Sequence, residues 1–445
     1  MSISRDLRLV FYSKPLVAVL AISAALRIIF HFLILPNSPS NFGPDEGTYA
    51  ALAKYVSEGS PISKFPIFGG DLYYTSKLLI LPSLPLIQIG IDPLFAVRTT
   101  SSIYGLLSSL FLALSYVSFK GLQKQPINTK QGFFDNRFLF LFLIFSFWPS
   151  NFLWSTIGLR ESGSQFWIIA STYFLISLVG ARHGHYYPLF VLTIVSITFS
   201  FAIRPQTAQV FSFVIAGLFL TYLLKKRNKI CLIALSAIII GIASGHAFTS
   251  SGTSSGTSSG TSSGTSSGTS SGTSSGTSSD ASKVFEEFAS LLVALESKRN
   301  INTLNASSAL SKSNCNTFYE EEVELIFCNV YQFPYRVFAF LFRPLLLFDQ
   351  GSLIQHYAAV ENIAWMILVS ISLIQSMKRN QSFPAKAINI SLVGYILIFV
   401  SSASLYDGNL GTAFRHKSTI LWPLIFILMI SPKQMLNIRR SKHSN

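Results

Sequence analysis

Charged residues are scarce in this chain. Asp, Glu, Lys and Arg make up 12% of its 445 residues, about half their share in soluble globular domains. Half of the residues are hydrophobic and the mean hydropathy is +0.46, which excludes an ordinary soluble domain. Cysteine is rarer still, and Cys231, Cys315 and Cys328 lack the CxxC spacing of zinc or iron–sulfur ligands. A basic domain is also missing. The formal net charge is +15, yet Lys and Arg fall in short clusters between apolar runs, a distribution that points to membrane topology and away from nucleic acid as a partner. No small-residue cleavage site follows the first apolar run, so Met1 to Lys14, with Arg5 and Arg8, reads as the start of a retained helix.

Long apolar runs are what the chain has instead. In hydrocarbon the backbone must satisfy its own hydrogen bonds, so runs near 20 residues read as helices. The expected fold is an all-α polytopic integral membrane protein of about ten spans, near 16–35, 95–119, 138–157, 163–180, 187–203, 207–224, 230–248, 356–377, 387–404 and 418–431. With the N-terminus inside, the clusters Lys120/Lys124/Lys130/Arg137, Arg182, Lys225/Lys226/Arg227/Lys229, Lys378/Arg379/Lys386 and Lys433/Arg439/Arg440/Lys442 all fall inside too. That agreement requires 78–91 and 333–348 not to cross. The first is short and contains Pro82 and Pro85, and the second carries Arg336, Arg343 and two prolines, so both read as juxtamembrane or re-entrant pieces at the outer face.

Four regions follow. Residues 1–248 form an N-terminal transmembrane module whose first outer loop, 36–94, is acidic; 249–280 is a linker of seven Thr-Ser-Ser-Gly copies closed by Thr-Ser-Ser-Asp. Residues 281–355 form an outer loop, in which Val284, Phe288, Leu291, Leu292 and Leu295 recur at helical spacing opposite Glu286, Glu287 and Lys298. This loop also holds Cys315 and Cys328, open to a disulfide in an oxidising compartment, and the sequon Asn305-Ala-Ser307. Residues 356–445 hold the last helices and a basic tail.

The most informative stretch is Phe42-Gly-Pro-Asp45-Glu46-Gly-Thr-Tyr49, just outside the first helix. Paired carboxylates at a membrane surface can take a hydroxyl proton or hold a divalent cation. The same residues also suit a plain helix N-cap with first-turn acids. Both readings stand on sequence alone.

In residues and in order this stretch resembles the GT-C glycosyltransferases, especially the protein O-mannosyltransferase and aminoarabinose transferase branch. After one helix comes Pro44-Asp45-Glu46 with Tyr49, then an Ala-rich helix ending at Glu58-Gly59, then Tyr73-Tyr74 and Lys77, then Phe95-Ala-Val-Arg98 leading into Ser101-Ser-Ile-Tyr-Gly105. The likeness covers about residues 15–120; the family usually shows Lys-Pro where this chain has Lys77-Leu78. It implies a GT-C-like bundle. The basic clusters put both termini in the cytoplasm, and the absence of a retention signal at Ser441 to Asn445 makes a bacterial inner membrane the expected location. The resemblance also implies a sugar donor on a polyprenyl phosphate or related lipid, and a glycan, lipid or protein acceptor. Asp45 is then the base of an inverting transfer, with Glu46 supporting it. A divalent cation, Mg or Mn, on Asp45 and Glu46 stays open, because relatives differ in metal use.

A donor phosphate needs cations. The expected topology sets Arg160 beside Glu161, Arg204, Arg336, Arg343 and Arg415 with His416 at the outer face, near Tyr74 and Lys77. Arg415 leads, in a polar turn opening into the last helix; Arg160 is second, on a short connection. Glu361 inside an apolar helix is a further candidate. An O-antigen-type polymerase, which relies on outer-loop arginines, and a lipid or sugar transporter or flippase are the competing classes.

Overall fold

The computed structural model describes residues 3–34, 45–62, 65, 73, 76–123, 134–181, 186–226, 229–250, 322–344, 353–377, 383–407 and 410–431. The repeat linker beyond Ser250, the amphipathic segment at 284–298, Asn305, Cys315 and Tyr74 lie outside them; Thr249 and Ser250, expected in the linker, close a helix. Among the described residues the regular structure is helical throughout. In chain order the helices are α1 (Ile3–Phe11), α2 (Lys14–Ile29, continued by a π-turn over Phe30–Ile34), α3 (Glu46–Ser57), α4 (Lys77–Ile80) and α5 (Leu84–Gln88). Then come α6 (Pro93–Leu122), α7 (Asn136–Phe147), α8 (Pro149–Thr156), α9 (Arg160–Val179), α10 (Tyr186–Ile203), α11 (Pro205–Lys226) and α12 (Lys229–Ser250). The last five are α13 (Glu322–Phe342), α14 (Leu353–Ser376), α15 (Phe383–Tyr406), α16 (Leu410–Lys417) and α17 (Leu421–Ile430).

Seven helical stretches among the described residues are long and apolar enough to cross a bilayer: Lys14–Leu33, Pro93–Leu122, Arg160–Val179, Tyr186–Ile203, His356–Ser376, Lys386–Leu405 and Gly411–Ile430. The chain is an all-α, multi-pass membrane protein. The single span expected at 138–157 is two helices bent by 48°. Pro149 breaks the ladder there, and Glu361 from α14 occupies the break. The Glu361 carboxylate accepts from Trp148 Nε1 (2.5 Å), Ser150 N (3.0 Å), Ser150 Oγ (2.6 Å) and Trp365 Nε1 (3.1 Å). The intramembrane acid is thus a buried keystone. The expected juxtamembrane segment at 78–91 is the short, kinked α4–α5 unit, and 333–342 forms the second half of α13, which passes Pro334. Cys328, in α13, is disulfide-bonded.

Lipid gives helices little hydrophobic reason to associate, so small and hydroxylated side chains at their contacts matter. α9 shows this best. Ser162 meets Ser101 of α6 at 2.8 Å, Ser177 meets Ser118 of α6 at 2.8 Å, and Ser171 donates to Ser196 of α10 at 3.1 Å. α17 is apolar on every side, Leu-Trp-Pro-Leu-Ile-Phe-Ile-Leu-Met-Ile, and every one of its residues is buried, as expected of a helix with no polar face. Arg137 of α7 donates to the carbonyls of Leu428 (2.6 Å) and Ser431 (3.0 Å), satisfying the open end of α17.

At that same end Asp6 of α1 is buried, 2% exposed, with the Tyr173 hydroxyl at 3.4 Å. Burial raises its pKa from 3.8 to about 6. A carboxyl raised in the fold is favourable below its unfolded value and costs stability as pH climbs through the folded value, up to about 3 kcal/mol. Asp6→Asn is therefore expected to melt higher than wild type at pH 7.5, with the gap closing below pH 4. Melting curves in detergent at the two pH values test this, and an equal gap at both would sink it.

Candidate functional site

α3 is fixed before its acids can act. Tyr49, Leu52 and Ala53 bury one face against Phe65, Leu79, Ile80, Val97, Ile157 and Leu159. The helix stops at Gly59, φ +71°, where Gly59 N–H donates to Val56 O (3.0 Å) and Ser60 N–H to Tyr55 O (3.2 Å). That pair of bonds is a Schellman cap, which needs a residue at ease in the left-handed region. At the other end Glu46, fully buried, takes both η and ε nitrogens of Arg98 on its two oxygens, at 2.8 and 2.9 Å. This fork–fork pair pins the first turn of α3 to α6.

Asp45 precedes that turn. It is the N-cap residue of α3, yet its side chain makes no capping hydrogen bond. It reaches instead to Arg415 of α16, whose Nη1 lies 2.7 Å from Asp45 Oδ2 across 370 positions of sequence. The cap reading, which the sequence left open, does not describe this carboxylate. A cap bond contributes about 1 kcal/mol; the long-range ion pair has displaced it.

Arg415 is shared. Its Nε is 3.1 Å from Oε1 of Glu161 in the first turn of α9, and Arg204, between α10 and α11, lies 3.2 Å from the same oxygen. Glu161 Oε2 accepts no hydrogen bond. Arg204 also meets Nε2 of His416, whose Nδ1 is 2.7 Å from Oδ2 of Asp407 at the end of α15. With a neutral ring, Asp407 holds the proton on Nδ1 and leaves Nε2 to accept from Arg204. Arg160 is a further charged neighbour of Glu161 and of Tyr49. Burial pushes the Tyr49 phenol up, which keeps it neutral beside these charges.

Five chain segments thus meet at one end of the bundle. Gly158 allows a close approach: a Cβ there would stand 2.8 Å from Val97 Cγ1, so a larger residue would force Val97 or the 157–159 turn to shift. Ser101 Oγ ties that turn through Leu159 O at 3.2 Å. Sequence placed Arg160 and Glu161 on a connection and Arg415, His416 and Lys417 in a turn; all five are helical. Helix is possible because their charges find partners inside the protein. A first-turn position also suits the Glu161 carboxylate.

Of the sequence candidates, Asp45, Arg160, Glu161, Arg204, Arg415 and His416 come together. Arg336 is bonded within α13, to Asn329 Oδ1 (2.7 Å) and Gln332 Oε1 (3.0 Å). Arg343 offers its carbonyl to Lys417 Nζ at 3.0 Å, and Lys77 lies over the Tyr73 ring at 5.8 Å. Among the described contacts of these three, none reaches Asp45. Asp407 and Tyr49 were missed as site residues. For Asp407 the signal was an acid nine positions before His416, alone among uncharged residues over 387–414.

The donor set does not suit a divalent cation on Asp45 and Glu46. Glu46 has both oxygens committed to Arg98, and Asp45 faces a guanidinium, where a second cation would be repelled. Among the described residues no group of three His, Cys, Asp or Glu side chains is arranged to hold a metal.

Comparison with protein-family models, with curated proteins and with solved structures finds no match to this chain.

Proposed function

We propose that this chain is a GT-C-like membrane glycosyltransferase with about ten spans, moving a sugar from a polyprenyl-phosphate-type carrier to an extracytoplasmic glycan, lipid or protein. The observation that carries the reading is the Asp45–Arg415 pair at 2.7 Å, with Asp45 left about half exposed while Arg415 and Glu161 are largely withdrawn from solvent. An accessible carboxylate and a supported arginine in one site supply the base and the phosphate-holding cation that the transfer needs. Asp45 takes the proton of the acceptor hydroxyl as its oxygen bonds the anomeric carbon. The anomeric C–O bond to phosphate breaks with inversion, and the electron pair leaves on the phosphate, which Arg415 holds. Glu161, Arg204, His416 and Asp407 position that guanidinium.

Topology supports the assignment. Lys120, Arg137 and Lys229 fall at helix ends opposite the site, which under basic-inside orientation supports an outward-facing site and cytoplasmic termini. The disulfide at Cys328 suits an outer, oxidising face.

Incubation of the protein in lipid with labelled polyprenyl-phosphate sugars tests the reading. Arg415→Ala is expected to lose at least about 100-fold in transfer, the scale of one lost charge-stabilising donor. Transfer that persists at the wild-type rate in Arg415→Ala overturns it.

A further inference from the structure

Asp45 and Arg415 cannot both do their work while paired with each other. The guanidinium that must hold a phosphate already holds a carboxylate, and the carboxylate that must receive a proton is taken up by the guanidinium. We infer that the Asp45 carboxylate occupies the phosphate seat on Arg415, and that arrival of a lipid phosphate exchanges one anion for the other and releases Asp45. The inference rests on the transferase reading above, and it adds an order to the site: the donor must seat before the base is free.

Three features of the geometry support exchange over a permanent bridge. Burial of the pair is lopsided. Asp45 is 46% exposed and Arg415 16% exposed, so the anion sits on the open side and can leave without uncovering the cation. Arg415 is also held from behind, where Glu161 Oε1 lies 3.1 Å from its Nε and itself receives Arg204 at 3.2 Å. The guanidinium therefore stays in place when its outer partner goes.

The third feature is that Asp45 has somewhere to go. It stands at the N-terminus of α3 without capping it, and an Asp in that position ordinarily accepts from its own first turn. On leaving Arg415 the carboxylate can turn to that cap once the Asp45 backbone moves from φ −89°, ψ −19° toward the extended region, so one favourable arrangement can replace another. Glu46 differs in each respect. It is fully buried, forked onto Arg98, and fixed.

Exchange makes a counter-intuitive claim about binding. A built-in occupant that fills the seat about nine-tenths of the time weakens apparent phosphate affinity about tenfold. Removing the carboxylate should therefore tighten phosphate binding in the same variant that loses transfer.

The test titrates the full chain in nanodiscs with sugar-free polyprenyl phosphate, and in a second arm with phosphatidylglycerol, for wild type, Asp45→Asn, Asp45→Ser and Arg415→Lys. Asp45→Asn and Asp45→Ser are expected to bind polyprenyl phosphate about tenfold tighter, and Arg415→Lys several-fold weaker. Tightening confined to polyprenyl phosphate identifies a carrier phosphate as the displaced anion's replacement; tightening in both arms identifies any lipid phosphate. Unchanged or weaker binding in both Asp45 variants overturns the exchange. Sugar transfer by wild type, measured separately, keeps the two claims apart. Transfer without tightening removes the exchange and leaves the enzyme, whereas tightening without transfer leaves a phosphate seat and removes the enzyme.

Discussion

Asp45→Asn is expected to lower sugar transfer by about 10²- to 10⁴-fold, the range that a positioned general base contributes, with the fold intact. The amide keeps the size of the carboxylate and a neutral oxygen for Arg415, but it cannot take a proton. Because Asp45 is about half exposed, solvent screens its pairing, and stability should change by no more than about 1 kcal/mol. Initial rates in proteoliposomes, with melting curves of the same preparations, separate the two effects. A rate within threefold of wild type in a well-folded variant would remove Asp45 from the chemistry. Asp45→Glu is the informative companion, since it restores a carboxylate about one bond further out and should recover part of the rate.

The second large effect concerns stability. Glu361→Ala leaves the two indole N–H groups of Trp148 and Trp365, the Ser150 N–H and the Ser150 hydroxyl without their acceptor. Each unsatisfied buried donor costs about 1–3 kcal/mol, partly recovered by relaxation. The neighbouring Lys417, fully buried and donating to Asn362 Oδ1 at 2.7 Å, loses a nearby negative charge as well. A loss of about 3–5 kcal/mol is expected, the scale seen when one member of a buried charged network is removed. Glu361→Gln should fall between, because one carbonyl oxygen remains but an NH₂ group is turned toward other donors. Denaturant unfolding in mixed micelles measures both, and a loss below about 1 kcal/mol for the Ala variant would show that the bend at Pro149 stands without Glu361.

The sequence was most readable where physics leaves little choice. Hydrocarbon demands helices, so the apolar runs at 95–119 and 187–203 reappear as Pro93–Leu122 and Tyr186–Ile203. The proline-broken run at 78–91 is likewise helical, as the short, kinked unit Lys77–Gln88. Polar helix ends were harder. Arg415-His416-Lys417 looks like a turn because three polar, basic residues in a membrane helix are costly, and partners that offset this cost, Glu161 and Asn362, lie far away in sequence. Periodicity carries no information about such partners. The competition between Asp45 as cap and Asp45 as ion-pair partner was undecidable from residues 42–58 alone, since only residue 415 breaks the tie. Glu361 was legible as an intramembrane acid but its partners were not, for a similar reason: the bend that buries it belongs to another helix.

The ion-pair network also bears on the order in which the protein matures. Glu161 and Arg204 are 43 positions apart and can meet once α9 and α10 have entered the bilayer. Asp45 must wait for a residue 370 positions downstream, and α17, which follows that residue, is clasped by Arg137. A nascent chain thus carries an incomplete charge set until the segment bearing Arg415 reaches the membrane, and the hairpin of α15 and α17 is what closes it. Competence arrives all at once, with that hairpin.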